Sequence, residues 1–159
     1  MLASASTVLV VADTLRKYGI KHSVVDPVMV ATSGAKLMPE NAIKTLCDKL
    51  LPETYLVTPN IPEAQLIVQE SGGHPVEVND LEGMKQLAAA VRKLGSKYVL
   101  LKGGHLPLTA EHRVARSDSE KKLVVNVLVG DDVDEVVELA YQASVNTHGT
   151  GCTLACKSA

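Results

Sequence analysis

The sequence predicts an α/β protein with an open, mostly parallel sheet and helices on both faces. Short apolar runs alternate with amphipathic stretches along most of the 159 residues. The apolar runs are continuous instead of alternating in and out, which indicates strands that are covered on both faces. The length suits one domain, and a hydrophobic fraction of 46% is enough to build a core.

A first helix is predicted from a cap at Ser4 to about Tyr18, where Gly19 stops it. Its apolar residues recur at helical spacing and share one face: Val8, Val11, Ala12, Leu15 and Tyr18. Residues 22–26 then read as a short buried strand that ends at Pro27.

A second helix is predicted from about Pro39, and its inner face carries Ala42, Ile43, Leu46, Cys47 and Leu50. Cys47 is expected to be a buried, inert thiol on this face. Residues 55–57 form the next predicted strand, and a third helix runs from about Pro62 to Glu70.

A fourth helix is capped by Asn79 or Asp80 and stopped by Gly95. Its apolar positions are Leu81, Met84, Leu87, Ala88, Val91 and Leu94. Residues 98–101 form a third buried strand. The charged residues 111–122 are typical of a surface loop, and residues 123–129 favour a strand followed by a turn.

Composition excludes several classes of protein. Sixteen basic and 18 acidic residues give a net charge of −2 without a basic block, which argues against nucleic acid or an anionic membrane as a partner. No apolar run approaches the roughly 20 residues that cross a bilayer. Three cysteines without a CxxC motif or a secretory signal indicate a reducing, cytoplasmic location.

Polar motifs follow the predicted strands where each one ends, beginning at Asp26, Thr58 and Lys102. In an open α/β sheet, ligands gather at the carboxyl ends of the strands. These motifs are therefore expected to form one shared site together with the later glycine turn, residues 149–151.

The turn Gly149-Thr150-Gly151 allows backbone N–H groups to point together at an anion, and the helix dipole behind it favours negative charge. Tight packing at a helix start would explain the same glycines. Cys152 favours the functional interpretation, because a thiol in the first helical turn is drawn toward thiolate. It could take a proton from a substrate hydroxyl while the turn binds the transferring phosphate.

The other site candidates each have two interpretations. Glu63 is either a helix-capping residue or, with Asn60, a holder of waters around Mg²⁺. Lys102 either neutralises a phosphate or is a solvated strand-end lysine, and the glycines after it, Gly103 and Gly104, suggest the close approach of a ligand. Asp26 is either bonded by local N–H groups or close to the metal.

Four segments strongly resemble hydroxymethylpyrimidine/phosphomethylpyrimidine kinase, a ribokinase-like enzyme of thiamine biosynthesis. They are Val-Asp-Pro-Val-Met-Val-Ala-Thr-Ser-Gly (25–34), Val-Thr-Pro-Asn-Ile-Pro-Glu-Ala (57–64), Leu-Lys-Gly-Gly-His (101–105) and Asn-Thr-His-Gly-Thr-Gly-Cys-Thr-Leu (146–154). The resemblance spans nearly the whole chain, except for about 112–144. Residues 106–109 and the charged insertion after them look like the fungal branch, in which a thiaminase-like domain often follows.

The resemblance implies a ribokinase-like fold and two successive phosphorylations that use ATP and Mg²⁺, first of the hydroxymethyl group and then of the monophosphate. Cys152 of the Gly-Thr-Gly-Cys motif is then the catalytic base. Related sugar and pyridoxal kinases carry aspartate there, so cysteine favours the pyrimidine branch. The other implied roles are a pyrimidine pocket at Met1 and Val28, nucleotide binding by Asn60, Lys102 and Gly103, and metal binding by Asp26 and Glu63.

The family also has segments before the position of Met1 and helices after Ala159, and its full-length members are homo-oligomers by the same resemblance. Residues 1–159 are therefore expected to be the central part of the kinase domain, with weak activity or none alone. Two alternatives stay open: a pyridoxal kinase of the same fold, or a non-catalytic remnant that binds nucleotide.

Overall fold

A computed structural model describes residues 2–29 and 37–143. These residues form four α-helices: α1 (Ala5–Tyr18), α2 (Glu40–Thr45), α3 (Ile61–Glu70) and α4 (Leu81–Arg92). They also form five strands: β1 (Val24–Val25), β2 (Leu56–Val57), β3 (Tyr98–Lys102), β4 (Leu123–Val129) and β5 (Asp134–Ala140). None of the helices in these residues is long and apolar enough to span a membrane.

The five strands make one open sheet in the order β1-β2-β3-β4-β5. The first three are parallel, as predicted, whereas β3–β4 and β4–β5 are antiparallel. The β4–β5 pair is antiparallel because a tight turn joins the two strands, in which the Gly130 N–H donates to the carbonyl of Val133 and reverses the chain. The longer segment 103–122 connects β3 to β4. The described sheet is therefore mixed.

The two faces of the sheet differ in how well the described residues cover them. Helix α3 contacts both β3 and α4, and α4 contacts β3 and β4, so the two helices lie side by side on one face. Val99 and Leu101 of β3 are fully buried beneath them, while Leu100 and Lys102 point to the other face and are partly exposed. Helices on both faces remain a prediction for this chain.

Helix α1 begins and ends as predicted. Ser4 caps it by accepting a hydrogen bond from the N–H of Thr7, and Gly19 ends it in the left-handed conformation at φ 60°. Val8 is fully buried, but Tyr18 is 69% exposed, so the prediction that Tyr18 shares the buried face was wrong. At 3.6 residues per turn, position 18 points about 80° away from position 8.

The five inner residues predicted for the second helix are all buried. The helix continues past α2 as a π-helical turn, Leu46–Leu50, and a 3₁₀ turn, Leu51–Glu53. Burial, reinforced by the negative charges of Asp48 and Glu70, raises the pKa of Cys47 to about 12. The expectation that this thiol is buried is confirmed, and its inertness stays a prediction.

Helix α4 is capped by Asp80, whose side chain accepts from the Gly83 N–H. It ends at Arg92, three residues before the predicted stop at Gly95. Strand β4 has the predicted bounds, but β5 was not predicted. Its sequence, Asp-Glu-Val-Val-Glu-Leu-Ala, is mostly exposed and lacks a buried apolar run. It lies beyond β4, at one edge of the sheet, whereas α4 packs on β3 and β4.

Candidate functional site at the carboxyl ends of the strands

The carboxyl ends of the three parallel strands bring Asp26, Thr58 and Lys102 together. The Lys102 Nζ donates to Asp26 Oδ1 at 2.7 Å, and the Thr58 hydroxyl donates to the same oxygen at 3.0 Å. Strand β2 lies between β1 and β3, so the lysine and the aspartate meet across it. The expected convergence of strand-end motifs is therefore present for these residues.

This ion pair is largely shielded from water. The side chains of Lys102 and Asp26 are 16% and 13% exposed, and Thr58 is fully buried. Charges in such a place are screened less than on the surface, so each depends strongly on its partner. The structure thus contains a positive charge, held by a carboxylate, where the sequence predicts phosphate binding.

Asn60 and Glu63 form a reciprocal capping box at the start of α3. The Asn60 side chain accepts from the Glu63 N–H, and the Glu63 carboxylate accepts from the Asn60 N–H, each at 2.8 Å. The capping interpretation of Glu63 is confirmed. Because the cap uses one carboxylate oxygen, metal binding by Glu63 stays compatible with it and remains a prediction.

Glu63 is only 5% exposed, and this burial raises the pKa of its carboxyl above the ordinary value. The N–H groups of Asn60 and Met29 and the charge of Lys102 oppose the rise, while the charge of Asp26 adds to it. Glu63 therefore belongs to the same electrostatic cluster as the ion pair. Two carboxylates beside one lysine suit a hard cation such as Mg²⁺, which takes few protein ligands and keeps several waters.

We expect Glu63→Gln to remove a pH-dependent loss of stability. Because the carboxyl pKa is higher in the folded state, its contribution to stability is fully present below the ordinary value of 4.5 and is lost as pH rises through the folded value. Glutamine keeps an acceptor for the Asn60 N–H and carries no charge. The free energy of unfolding of the variant should therefore rise, relative to that of the parent chain, as the pH increases above the ordinary value of 4.5.

Urea unfolding in metal-free buffer across this pH range measures the difference. Glu82→Gln is the matched control, because Glu82 is an exposed carboxylate in the first turn of α4. A stability difference between Glu63→Gln and the parent that stays constant with pH would contradict the prediction.

The backbone after Lys102 is fixed by β4. The Gly103 N–H donates to the Asn126 side-chain oxygen at 3.1 Å. A Cβ added at Gly103 would overlap the Val125 carbonyl oxygen and lie 2.8 Å from Met84 Cε, whereas nothing lies within 4 Å of one added at Gly104. The sequence suggested that a ligand comes close to these glycines. At Gly103 the groups that come close are the Val125 carbonyl and the Met84 side chain of the protein itself. Ligand contact at Gly103 remains a prediction.

Two members of the cluster were not predicted as site residues. Thr58 belongs to the 57–64 motif but was assigned no role, and Asn126 was predicted only as part of a strand. A signal for Asn126 existed, because it is the only polar residue of Leu-Val-Val-Asn-Val-Leu-Val, residues 123–129. A lone amide in a buried strand usually needs a hydrogen-bond partner, which here is Gly103.

Several predicted site residues lie outside the described residues: Met1, Gly149, Thr150, Gly151 and Cys152. Val28 is described. It is half-buried, and its N–H donates to the Asp26 carbonyl at 2.9 Å, so it lies next to the ion pair. Its role in a pyrimidine pocket remains a prediction.

Comparison with known proteins identifies relatives over the full length of the chain. A family model described as phosphomethylpyrimidine kinase matches residues 1–159. The chain is 42% identical over 154 residues to a Schizosaccharomyces pombe protein provisionally named hydroxymethylpyrimidine/phosphomethylpyrimidine kinase 2, covering 97% of this chain and 28% of the relative. It is 32% identical to the Bacillus subtilis hydroxymethylpyrimidine/phosphomethylpyrimidine kinase, covering 98% of this chain and 51% of the relative.

Solved structures of kinases are also similar to this chain. A phosphomethylpyrimidine kinase from Clostridium difficile is 33% identical with a TM-score of 0.64, over 86% of this chain and 50% of that one. A Bacillus subtilis pyridoxal kinase in complex with ADP is 28% identical with a TM-score of 0.74, over 98% of this chain and 52% of that one. The chain thus spans about half the length of these structures, and 28% and 51% of the two relatives above.

Proposed function

We propose, because the chain belongs to the phosphomethylpyrimidine kinase family, that it transfers the γ-phosphoryl group of ATP to hydroxymethylpyrimidine and then to the resulting monophosphate. The observation that carries the proposal is the family match over residues 1–159, which includes every strand-end motif of the candidate site. The family and the ribokinase-like fold predicted from the sequence are confirmed by the comparisons.

Phosphoryl transfer requires mainly positioning and charge neutralisation from the protein. In this proposal Lys102 binds a phosphate of the nucleotide, since it is a largely shielded cation at the strand ends. Lys102 is paired with Asp26 in this structure. On binding, Lys102 must either contact Asp26 and the phosphate together or leave Asp26 for the phosphate. A rigid β3 end, held through Gly103, keeps the lysine at the site during that exchange.

Asp26 and Glu63 are the proposed metal-binding residues, acting directly or through water. When bound, Mg²⁺ would supply positive charge that neutralises the charge developing on the phosphoryl group. A cation beside Glu63 favours its ionised form, so binding would offset the effect of burial on the pKa of this carboxyl. Cys152 is the proposed base that accepts the proton of the substrate hydroxyl.

A pyridoxal kinase is the second candidate, and one observation favours it. The Bacillus subtilis pyridoxal kinase structure matches more of this chain, and with a higher TM-score, than the Clostridium difficile phosphomethylpyrimidine kinase does. The sequence favours the pyrimidine substrate, because the chain has Cys152 where the resemblance places aspartate in pyridoxal kinases. The cytoplasmic location and the homo-oligomeric state remain predictions.

The test is ATP-dependent phosphorylation by the purified chain, followed separately with hydroxymethylpyrimidine and with pyridoxal. We expect the pyrimidine to be preferred, and Cys152→Ala to lower turnover by about 100-fold or more. Cys156→Ala is the matched control, since it removes a thiol from the same segment and should leave turnover unchanged. The proposal includes low activity for residues 1–159 alone, so assay sensitivity must extend well below one turnover per minute.

The alternative outcomes are distinct. Equal turnover by Cys152→Ala and the parent would reject this cysteine as the base. Preference for pyridoxal would establish the second candidate instead. Binding of ATP without phosphorylation of either substrate would favour the nucleotide-binding remnant.

A further inference from the structure

Asn126 is the polar residue of an otherwise apolar strand, and it lies directly opposite Lys102 in the register of β3 and β4. Its side-chain oxygen accepts the Gly103 N–H at 3.1 Å. A backbone N–H only donates, so the acceptor must be the amide oxygen, which fixes the orientation of the Asn126 amide. The Asn126 side chain is therefore hydrogen-bonded to Gly103, the residue that follows the candidate phosphate-binding lysine.

This hydrogen bond replaces a backbone partner at the point where β3 ends. Lys102 is the last residue of β3 in the β3–β4 register, and its own N–H donates to the Pro59 carbonyl on the opposite side. Gly103 is buried, so without Asn126 its N–H would lose its partner away from water. Asn126 thus satisfies the first backbone donor beyond the strand.

Gly103, which Asn126 holds, is also the first residue of the turn that follows β3. The Gly103 carbonyl accepts the Leu106 N–H at 2.9 Å, which closes a tight turn over residues 103–106. The backbone of Gly103 is in close contact with the Val125 carbonyl, so the turn has little freedom to shift toward β4. The Asn126 side chain bonds the Gly103 N–H from the same strand, so two neighbouring residues of β4 restrain the first residue of the turn next to Lys102.

Asn126 also lies on the sheet face that carries the ion pair. Side chains alternate along a strand, and in this sheet the fully buried residues Val99 and Val125 face the helices. Lys102 and Asn126 each lie an odd number of residues away, so both point to the opposite face. The polar cluster thus extends from β1 to a fourth strand, β4.

We infer that Asn126 is a positioning residue of the phosphate site: its amide oxygen holds Gly103 so that the end of β3 presents Lys102 and the 103–106 turn to the ligand. The identity of that ligand as ATP rests on the proposed function. The hydrogen bond itself does not, so the inference can be tested with and without nucleotide.

The first test is hydrogen exchange of the Gly103 amide in the ligand-free chain. Asn126→Leu has similar size but no acceptor, and it should speed exchange of the Gly103 amide about tenfold relative to the amides of β3. Asn126→Asp keeps an acceptor oxygen and should retain protection. Leu128→Ala, on the same strand and face two residues away, should change the β3 and β4 amides together and shows the effect of lost stability alone.

The second test is the affinity for a non-hydrolysable ATP analogue, measured by titration calorimetry. We expect Asn126→Leu to bind the analogue about tenfold more weakly than Leu128→Ala does, with both variants measured under conditions in which they are equally folded. Equal affinities in these two variants, or unchanged relative exchange of Gly103 in Asn126→Leu, would overturn the inference. A parent chain that binds no ATP analogue would instead count against the proposed function, and the exchange experiment would still decide the role of Asn126.

Discussion

Replacing Lys102 by methionine is expected to lower the free energy of unfolding by about 3 kcal/mol. Asp26, which is 13% exposed in the parent chain, would then keep the Thr58 hydroxyl as a side-chain donor but lose its lysine partner. Removing one member of a shielded pair leaves the other charge uncompensated, which is more damaging than replacing both. The same variant should bind a non-hydrolysable ATP analogue at least about 100-fold more weakly, since charge-assisted phosphate contacts are among the strongest polar interactions.

A double-mutant cycle with Asp26→Asn isolates the interaction of the pair. The double variant should be less destabilised than the sum of the two single variants by at least about 1 kcal/mol, because it removes both charges. Urea unfolding of the four proteins measures this coupling. Lys85→Met is the matched control, since the Lys85–Asp134 pair is 33% and 60% exposed and should contribute less than about 1 kcal/mol. Additive effects of Lys102→Met and Asp26→Asn would contradict a stabilising contact between these residues.

Gly103→Ala is expected to be the most damaging single-methyl substitution at the site. The new Cβ would overlap the Val125 carbonyl oxygen, which is backbone of the central part of β4 and cannot rotate away. Separating β3 from β4 to admit it should lower the free energy of unfolding by about 3 kcal/mol or more, the upper end for inserted methyl groups. It should also break the Gly103–Asn126 hydrogen bond and weaken nucleotide binding.

Gly104→Ala provides the control, because its Cβ would meet nothing within 4 Å and its residue is exposed. Thermal and urea unfolding of both variants should show a loss confined to Gly103→Ala. Comparable losses at the two positions would indicate that backbone freedom, and not contact with Val125, explains the glycines. A Gly103→Ala variant as stable as the parent chain would contradict the close contact between Gly103 and Val125 of β4.

The sequence was informative about this fold where local signals and burial agree. The Ser4 cap and the apolar spacing of the first helix specified its bounds, because capping and periodicity are local properties of the chain. The edge strand β5 carried no such signal. Its residues pair with β4 through backbone hydrogen bonds while most side chains stay exposed, and backbone pairing leaves little trace in residue type.

The candidate site was partly predictable for a similar reason. Strand-end motifs in a parallel sheet converge by topology, so Asp26 and Lys102 were expected to be close. That they form an ion pair with each other depends on the twist and stagger of three strands, which residue spacing does not specify. The hydrogen bond from Gly103 to Asn126 joins positions 23 residues apart across an antiparallel pair that was not predicted.

The distances along the chain between the members of the ion-pair cluster also bear on how the protein is made. Thr58 and Lys102 lie 32 and 76 residues after Asp26, their common partner. At ordinary translation rates, roughly 4–15 s separate the synthesis of Asp26 from that of its lysine. Until β3 leaves the ribosome, Asp26 has no cation, and burying it against β2 would be unfavourable. The nascent β1–β2 pair should therefore remain hydrated at its carboxyl end, and the site should close only when β3 docks.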